Sequence, residues 1–272
     1  MKKRDAAEPE NLLRGQEPWC VTACSRFLKR NPAKEHVWTL RDKHGIYGII
    51  IQSKRTLLPV FRSREEIPQP RFLRGFFRAV PIHSLQGLKE DAVLLEQALE
   101  KFGRKVSETI DYDLMCIDRP PNEECFSAGP ADLILRKPLF TDADTLAALQ
   151  AAYEQEEVLP KNAVFNPAVS RLNIERILSS EQILAAELGG RLVGKINTSS
   201  LSFTRFQVGG VYVHPGFRGL GIARRMAAEF VRSLIAQGKG ISLFVKKSNP
   251  AALSVYRHLG FTVLGDYRIS YY

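Results

Sequence analysis

The sequence predicts a two-domain α/β protein, and three patterns support this fold class. Short β-like runs alternate with amphipathic helical stretches in both halves of the 272-residue chain. A polar, proline-rich segment at 119–130, RPPNEECFSAGP, is typical of a linker. A strand pattern also runs into the glycine-containing turn HPGFRGLGIARR at 214–225, where a helix pattern begins. We therefore expect an N-terminal α/β domain at 1–130 and a second domain at 131–272.

Bulk composition excludes several classes of protein. A hydrophobic content of 44% with 25% charged residues is typical of a soluble globular chain, and no apolar run reaches the roughly 20 residues that span a bilayer. The N-terminus lacks the apolar segment of a secretory signal. The four cysteines lack Cys-x-x-Cys spacing, which favours free thiols in a reducing compartment. We therefore expect a cytoplasmic protein that does not enter membranes.

The formal charge of +10 is spread along the chain rather than gathered in a tail. A diffuse positive field speeds the encounter with anionic ligands, but it does not choose between a phosphorylated cofactor and nucleic acid. No motif with base-reading spacing is present, so we do not expect direct nucleic-acid binding. No cluster of His, Cys or Asp has the spacing of metal ligands, so we expect no metal.

The first half alternates helical and β-like segments. The helical patterns are PWCVTACSRFLKRN (18–31) and KEDAVLLEQALEKFG (89–103), and the β-like patterns are HVWTLRD (36–42), GIYGIIIQ (45–52) and KVSETIDYDLMCID (105–118). Because the second half alternates in a similar way, the first half is a candidate for a degenerate structural duplicate.

The second half is more regular. Its helical patterns are TDADTLAALQAAYEQEE (141–157), PAVSRLNIERIL (167–178), the stretch after Gly221, and NPAALSVYRHLGF (249–261) with Asn249 as N-cap; its β-like patterns are DLILRKP (132–138), QILAAEL (182–188), RLVGKINTSSL (191–201), FQVGGVYVH (206–214), ISLFVK (241–246) and a closing strand pair or bent strand (261–272). Gly189-Gly190 predicts a β-hairpin, and Gly209-Gly210 indicates a bulge or a close approach. The sequence GGRLVGKI (189–196) also fits the start of a phosphate-binding P-loop. Because Ile196 replaces the Ser or Thr of that motif, the hairpin is favoured.

The turn at 214–225 has two interpretations. It is either a tight turn with a structural role alone, or an anion-binding site formed by exposed backbone amides. The first turn of a helix has unpaired N–H groups and a partial positive charge. Gly219 and Gly221 let an anion approach the backbone because neither has a Cβ, and Ala223 preserves that clearance. Arg218 adds a positive charge.

The surrounding segment resembles the GNAT superfamily of acyl-CoA-dependent N-acetyltransferases. VGGVYVHPGFRGLGIARRMAAEFV (208–231) is similar to that family's pyrophosphate motif, Arg/Gln-x-x-Gly-x-Gly/Ala. LFVKKSNPAALSVYRHLGF (243–261) is similar to its second cofactor motif. The resemblance covers roughly 132–272 and implies a GNAT fold with a central, mostly antiparallel mixed sheet flanked by helices. More loosely, through FLKRNP (27–32) and GLKEDAVLLEQAL (87–99), the whole chain looks like a bacterial group with an uncharacterised N-terminal α/β domain.

The resemblance implies acetyl-CoA as cosubstrate and a set of residues that bind it. A strand backbone would pair with the pantetheine arm, the amides of the turn would hold the pyrophosphate, and Asn249 would contact the pantetheine or order its helix. The expected cofactor-binding residues are Val211, Tyr212, Val213, Arg218, Gly219, Leu220, Gly221, Ile222, Ala223, Asn249 and Ala252.

The same resemblance implies Tyr256 as the acid that protonates the departing thiolate, although a core tyrosine would give the same pattern. The start of the strand at 206–214, where many relatives hold a glutamate, here has Gln207, which puts a strand-borne base in doubt. The next candidates are Glu154, Glu156 and Glu157, of which Glu156 and Glu157 are assigned with Tyr256 as catalytic. A solvated helix end would also explain these glutamates, and Glu187 and His214 are weaker alternatives.

Two functions from different classes follow. The first is an acetyl-CoA-dependent N-acetyltransferase that acts directly on a primary amine, and the second is a non-catalytic acyl-CoA sensor or regulatory module. The acceptor stays open, from small amines to protein N-termini and lysines. The N-terminal domain is expected to cap the acceptor groove or to pair the protein with itself as a homo-oligomer.

Overall fold

The computed structural model describes residues 3–30, 35–62, 75, 80–161 and 163–272. The chain forms two compact units: unit 1 comprises Met1–Met115, Phe244–Ser248 and Val263–Tyr272, and unit 2 comprises Cys116–Leu243 and Asn249–Thr262. Each unit combines helices with a mixed sheet, so the predicted α/β fold class is confirmed. The domain boundary between 130 and 131 stays a prediction. Among the described helices, none combines the length and the apolar character that crossing a bilayer requires.

Within its described residues, unit 1 has three α-helices and six strands. They are α1 (Lys3–Gly15), α2 (Val21–Leu28), β1 (Glu35–Asp42), β2 (Gly45–Ser53), β3 (Thr56–Phe61), β4 (Ser84–Leu88), α3 (Lys89–Glu100), β5 (Glu108–Ile117, as far as Met115) and β11 (Thr262–Tyr271, from Val263). The strand order is β1-β2-β3-β4-β11-β5. Strands β1, β2 and β3 form an antiparallel meander, and β4 then lies parallel to β3.

The core of unit 1 is aliphatic and aromatic. Ile50, Leu57, Phe61 and Leu95 are fully buried in one cluster, and α3 packs against β3 and β4. The apolar run of β2 gives this result because both faces of the strand are covered.

In the part of unit 2 that the structure describes, there are four α-helices and five strands. They are β6 (Ile134–Arg136), α4 (Ala143–Tyr153), α5 (Pro167–Ser180), β7 (Ile183–Leu188), β8 (Arg191–Leu201), β9 (Arg205–Val213), α6 (Ile222–Ile235), β10 (Gly240–Lys246, as far as Leu243) and α7 (Pro250–Leu259). The strand order is β10-β9-β8-β7-β6. Strands β6 to β9 are antiparallel, and β10 lies parallel to β9 at Arg205–Gln207.

Two glycine predictions in unit 2 are confirmed. Gly189 and Gly190 have φ values of 56° and 74° and join β7 to β8 in a tight hairpin. Gly210 has φ 60°, and the β8–β9 register shifts between Lys195 and Asn197, so β9 bulges at this point.

Three elements differ from the sequence patterns. Helix α1 was not among the predicted elements; its segment is mostly polar and contains Pro9, and the fully buried Leu13 anchors it. Strand β3 was not among them either; its Pro59 lies opposite Ile50 of β2 and beyond the residues that pair with β4. The C-terminal segment forms one strand, β11, rather than a pair.

Candidate functional site

The turn before α6 is open on the side of Gly219. Gly219 and Gly221 both have φ 80°, and a Cβ on Gly219 would meet no heavy atom within 4 Å. A Cβ on Gly221 would lie 2.8 Å from the amide nitrogen of Gly129, so that glycine also allows a close backbone approach. Arg225 donates the first bond of the helical ladder, to the Gly221 carbonyl at 3.1 Å. The amides from Gly219 to the residue before Arg225 therefore have no acceptor within the helix.

Arg218 lies beside this turn and is held from several directions. Its amide donates to the Pro215 carbonyl at 3.2 Å, so the available amides begin at the next residue. Its guanidinium donates to the Val213 carbonyl at 3.0 Å and to the Glu156 carboxylate at 2.7 Å, and it lies 5.2 Å from the centre of the Tyr212 ring. The guanidinium of the residue before the turn is thereby fixed in an ion pair with Glu156.

The residues of β9 alternate in the direction of their backbone groups. His214 donates to the Val193 carbonyl at 2.8 Å, and paired residues alternate along an antiparallel ladder. Tyr212, opposite Lys195, therefore directs its amide and carbonyl to β8. Val211 and Val213 direct theirs to the opposite edge.

The predicted glutamates lie together on a π-helical segment, Glu154–Val158, that continues α4. Such segments occur often at functional sites. Glu156 accepts hydrogen bonds from the Tyr212 hydroxyl and from Arg218, both at 2.7 Å. Partial burial works to raise the pKa of Glu156, but these hydrogen bonds outweigh it and hold the pKa below its ordinary value. Glu156 is thus a weak proton acceptor in this arrangement.

Glu157 is connected to the helix that carries Tyr256. Its carboxylate accepts from the Asn249 side-chain amide at 3.0 Å, and the Asn249 carbonyl oxygen accepts from the Ala252 amide at 3.0 Å and caps α7. Burial raises the pKa of Tyr256 well above its ordinary value, and the Glu157 charge adds to this rise. Tyr256 is 7% exposed, and its ring makes an edge contact with Phe261. The structure therefore brings a carboxylate and a protonated phenol into one neighbourhood.

A residue that the sequence did not single out, Lys195 on β8, is fully buried in the same unit. Its amine donates to the Gly210 carbonyl at 2.9 Å and to the Asn197 side-chain oxygen at 3.2 Å, and it lies 4.9 Å from the centre of the Tyr153 ring. Burial lowers the pKa of Lys195 to about 7, against a smaller opposing effect of Glu154. The sequence signal was present, because Lys195 and Asn197 alternate with the apolar Ile196 at the period-2 spacing of a strand.

The Tyr153 hydroxyl completes this cluster by accepting from the Gly210 amide at 3.3 Å. Burial raises the pKa of Tyr153 to about 12, so the hydroxyl is neutral near pH 7. Glu154 accepts from the Gln150 and Asn173 side-chain amides at 2.8 and 2.9 Å.

The remaining predicted residues occupy simpler positions. Glu187 forms an ion pair with Arg136 at 2.7 Å on the edge strands. His214 is exposed and accepts from the Gly216 amide at 3.2 Å, as expected of a turn residue. Leu220 is exposed in the turn, whereas Ile222 is buried and offers only its amide to a ligand.

Comparisons with known proteins agree with this architecture. The model of the Acetyltransferase (GNAT) family matches residues 146–261, which include most of α4, the π-helical segment, the glycine turn and all of α7. N-alpha-acetyltransferase RimI of Mycobacterium tuberculosis is 37% identical over 94 residues, which cover 32% of this chain and 58% of RimI. The match thus spans less than two thirds of that relative's length.

Solved structures resemble the chain over nearly its whole length. A Drosophila protein of a structural genomics programme covers 100% of this chain and 97% of its own at a TM-score of 0.68 and 11% identity. A GCN5-related N-acetyltransferase-like protein from Streptococcus suis covers 97% and 99% at a TM-score of 0.59 and 12% identity. At these identities the similarity establishes the fold.

Proposed function

We propose that the chain transfers an acetyl group from acetyl-CoA directly to a primary amine, because residues 146–261 match the model of the acetyltransferase (GNAT) family. The observation that carries the proposal is the open turn from Gly219 to Ala223, which directly follows Arg218 in the chain. Helix N-terminal amides with an adjacent cation suit a diphosphate. The pantetheine arm would pair with the edge of β9 at Val211 and Val213, as an added strand does.

In the proposed reaction, the amine nitrogen forms a bond to the thioester carbon and the bond from that carbon to sulfur breaks. We assign Tyr256 as the donor of the proton that the thiolate takes up. Its raised pKa keeps the phenol protonated at neutral pH, which a proton donor requires.

The amine must lose a proton, and we favour Glu157 over Glu156 for its removal. Both carboxylate oxygens of Glu156 accept hydrogen bonds, and its lowered pKa disfavours proton uptake. Glu157 lies close enough to Tyr256 for its charge to raise the phenol pKa, so it can act near the same thioester. Glu156 would instead hold Arg218 beside the cofactor turn.

Alpha-amino groups are the first acceptors to test. An amine with a pKa of about 10.4 is neutral about one time in 2,500 at pH 7, whereas deprotonating one with a pKa of about 7.8 costs only about 1 kcal/mol. The RimI relative is named as an N-alpha-acetyltransferase.

We place the protein in the cytoplasm, where its free cysteines would stay reduced.

The test is acetyl-CoA consumption over a panel of peptides with free N-termini, lysine side chains and small amines, for the wild-type protein and Tyr256→Phe. We expect turnover with at least one acceptor and about a 100-fold lower kcat in Tyr256→Phe, because a positioned acid contributes roughly 10²- to 10⁴-fold. Calorimetric binding of CoA by both proteins is the control for folding. Tight CoA binding with no turnover dependent on Tyr256 would instead support the sensor function.

A further inference from the structure

The buried Lys195 lies under the bulge of β9, directly before the strand edge assigned to pantetheine. Both backbone groups of Gly210 are bound by side chains rather than by a neighbouring strand. Lys195 donates to its carbonyl at 2.9 Å, and its amide donates to the Tyr153 hydroxyl at 3.3 Å. The bulge is therefore fixed by two polar side chains, those of Lys195 and Tyr153.

The geometry of the next peptide group links Lys195 to that edge. No peptide bond among the described residues is cis, and in a planar trans peptide the carbonyl and the following N–H point in opposite directions. Because the Gly210 carbonyl points to Lys195, the Val211 amide points away from it, to the edge of β9 opposite β8. A hydrogen bond to the carbonyl also polarises the peptide group and makes its N–H a stronger donor.

We propose that Lys195 is a positioning residue for acetyl transfer, whose buried amine anchors the Gly210 carbonyl and so directs the Val211 amide at the thioester oxygen of bound acetyl-CoA. This inference rests on the proposed function. Negative charge develops on that oxygen when the amine attacks, and donors fixed in advance stabilise it most. The positive charge of the ammonium acts on the same oxygen through the peptide group.

The environment of Lys195 makes this contribution depend on pH. The charged group that acts on Lys195 is Glu154 from the π-helical segment, and α4 contributes the Tyr153 phenol, which stays neutral. Asn197 and Gly210, from β8 and β9, are uncharged. Since the pKa of Lys195 is about 7, the ammonium is present at pH 6 and largely absent at pH 9. Its electrostatic contribution should fall over this range, while the hydrogen bond of the neutral amine remains.

The kinetic test compares the wild-type protein with Lys195→Met and Lys195→Gln in the full chain. The ratio of wild-type kcat to Lys195→Met kcat should be about tenfold at pH 6, less than the loss of a directly contacting donor, and should fall through pH 7. Ionisation of the acceptor cancels in this ratio because it is the same in both proteins. Lys195→Gln keeps a donor without the charge, so its kcat relative to Lys195→Met should not change with pH.

Lys239→Met is the matched control, because Lys239 also donates to a backbone carbonyl, that of Phe203 at 3.1 Å, at the other end of β9. It should leave the kcat ratio near one at every pH. A ratio of wild-type kcat to Lys195→Met kcat near one at every pH from 6 to 9 would overturn the inference while leaving the proposed function intact.

A readout without turnover separates the inference from the proposed function. Infrared difference spectra of bound acetyl-CoA labelled with ¹³C at the carbonyl report hydrogen bonds to the thioester oxygen. We expect the band in the wild-type protein to shift to lower frequency at pH 6 than at pH 9, and the band in Lys195→Met to stay constant. If the carbonyl band has the same frequency in both proteins at pH 6, the inference is contradicted, even where no acceptor turns over. If the wild-type protein binds acetyl-CoA with the shifted band but turns over no amine, only the proposed function is contradicted.

Discussion

Units 1 and 2 share a strand arrangement but differ in what their central strands bury. Each has three antiparallel strands, β1-β2-β3 and β7-β8-β9, followed by a strand that lies parallel to the third and leads into a helix. In unit 1 the ladder between β2 and β3 continues without a break from Gly48↔Phe61 to Ser53↔Thr56. In unit 2 the corresponding ladder between β8 and β9 shifts register twice.

The side chains that these strands bury differ between the two units in the same way as the ladders. Strand β2 buries Ile49, Ile50 and Ile51 completely, whereas β8 buries Lys195 and Asn197. A charged amine in such a position is costly, and an aliphatic side chain would usually be at least as stable. The regular apolar ladder of unit 1 is what this strand arrangement needs in order to fold. The buried polar residues and the bulge of unit 2 depart from that pattern, as is expected of a functional site.

The largest expected effect is on the core of unit 1. Ile50→Ala should lower the free energy of unfolding by about 2–5 kcal/mol, since the residue is fully buried and truncation leaves a cavity. Under conditions where the variant is folded, its KM for acetyl-CoA should equal that of the wild-type protein. Leu172→Ala, at a residue that is 64% exposed, is the control and should change stability by less than about 0.5 kcal/mol. A severalfold change in KM for Ile50→Ala would show that the division between a packed unit and a functional unit is wrong.

The next effect tests the bulge. Gly210→Ala should lower stability by about 1–3 kcal/mol and reduce kcat, because the residue has φ 60° and a Cβ there would lie 2.1 Å from the Asn197 side-chain oxygen. Gly209→Ala is a matched control one residue away, where the nearest heavy atom would lie at an ordinary 3.7 Å. Chemical denaturation and acetyl-CoA turnover measure both. Equal effects of the two substitutions would mean that the bulge geometry does not matter.

The sequence predicts those parts of this comparison that depend on local conformation. Gly189-Gly190, Gly210 and the turn at Gly219 and Gly221 are visible in the sequence because a positive φ selects glycine. Asn249 before Pro250 was recognised as a helix start because capping also acts within a few residues.

Parts that depend on tertiary partners were not predictable in this way. Lys195 lies in a hairpin whose sequence resembles a P-loop motif. Its significance comes from Gly210 and Tyr153, which lie 15 and 42 positions away in the chain. Likewise, Glu156 and Glu157 are alike in sequence, and only their partners, Arg218 for one and Asn249 for the other, separate their roles.

The smallest expected effect separates a structural cap from a site residue within unit 2. Asn249→Ala and Asn166→Ala should each lower stability by about 1 kcal/mol, since both side chains accept from the first amides of a helix. Only Asn249 also donates to Glu157, at 3.0 Å, so only its loss should remove a hydrogen bond from that carboxylate and change kcat or the KM for acetyl-CoA, by about two- to fivefold for one hydrogen bond. Asn249→Ser sharpens the test, because serine keeps the cap but lacks the side-chain amide that donates to Glu157, and should reproduce the kinetic change with little loss of stability. If Asn166→Ala and Asn249→Ala have the same kinetics, Asn249 is a cap and nothing more, and the link from Glu157 to the helix of Tyr256 has no catalytic consequence.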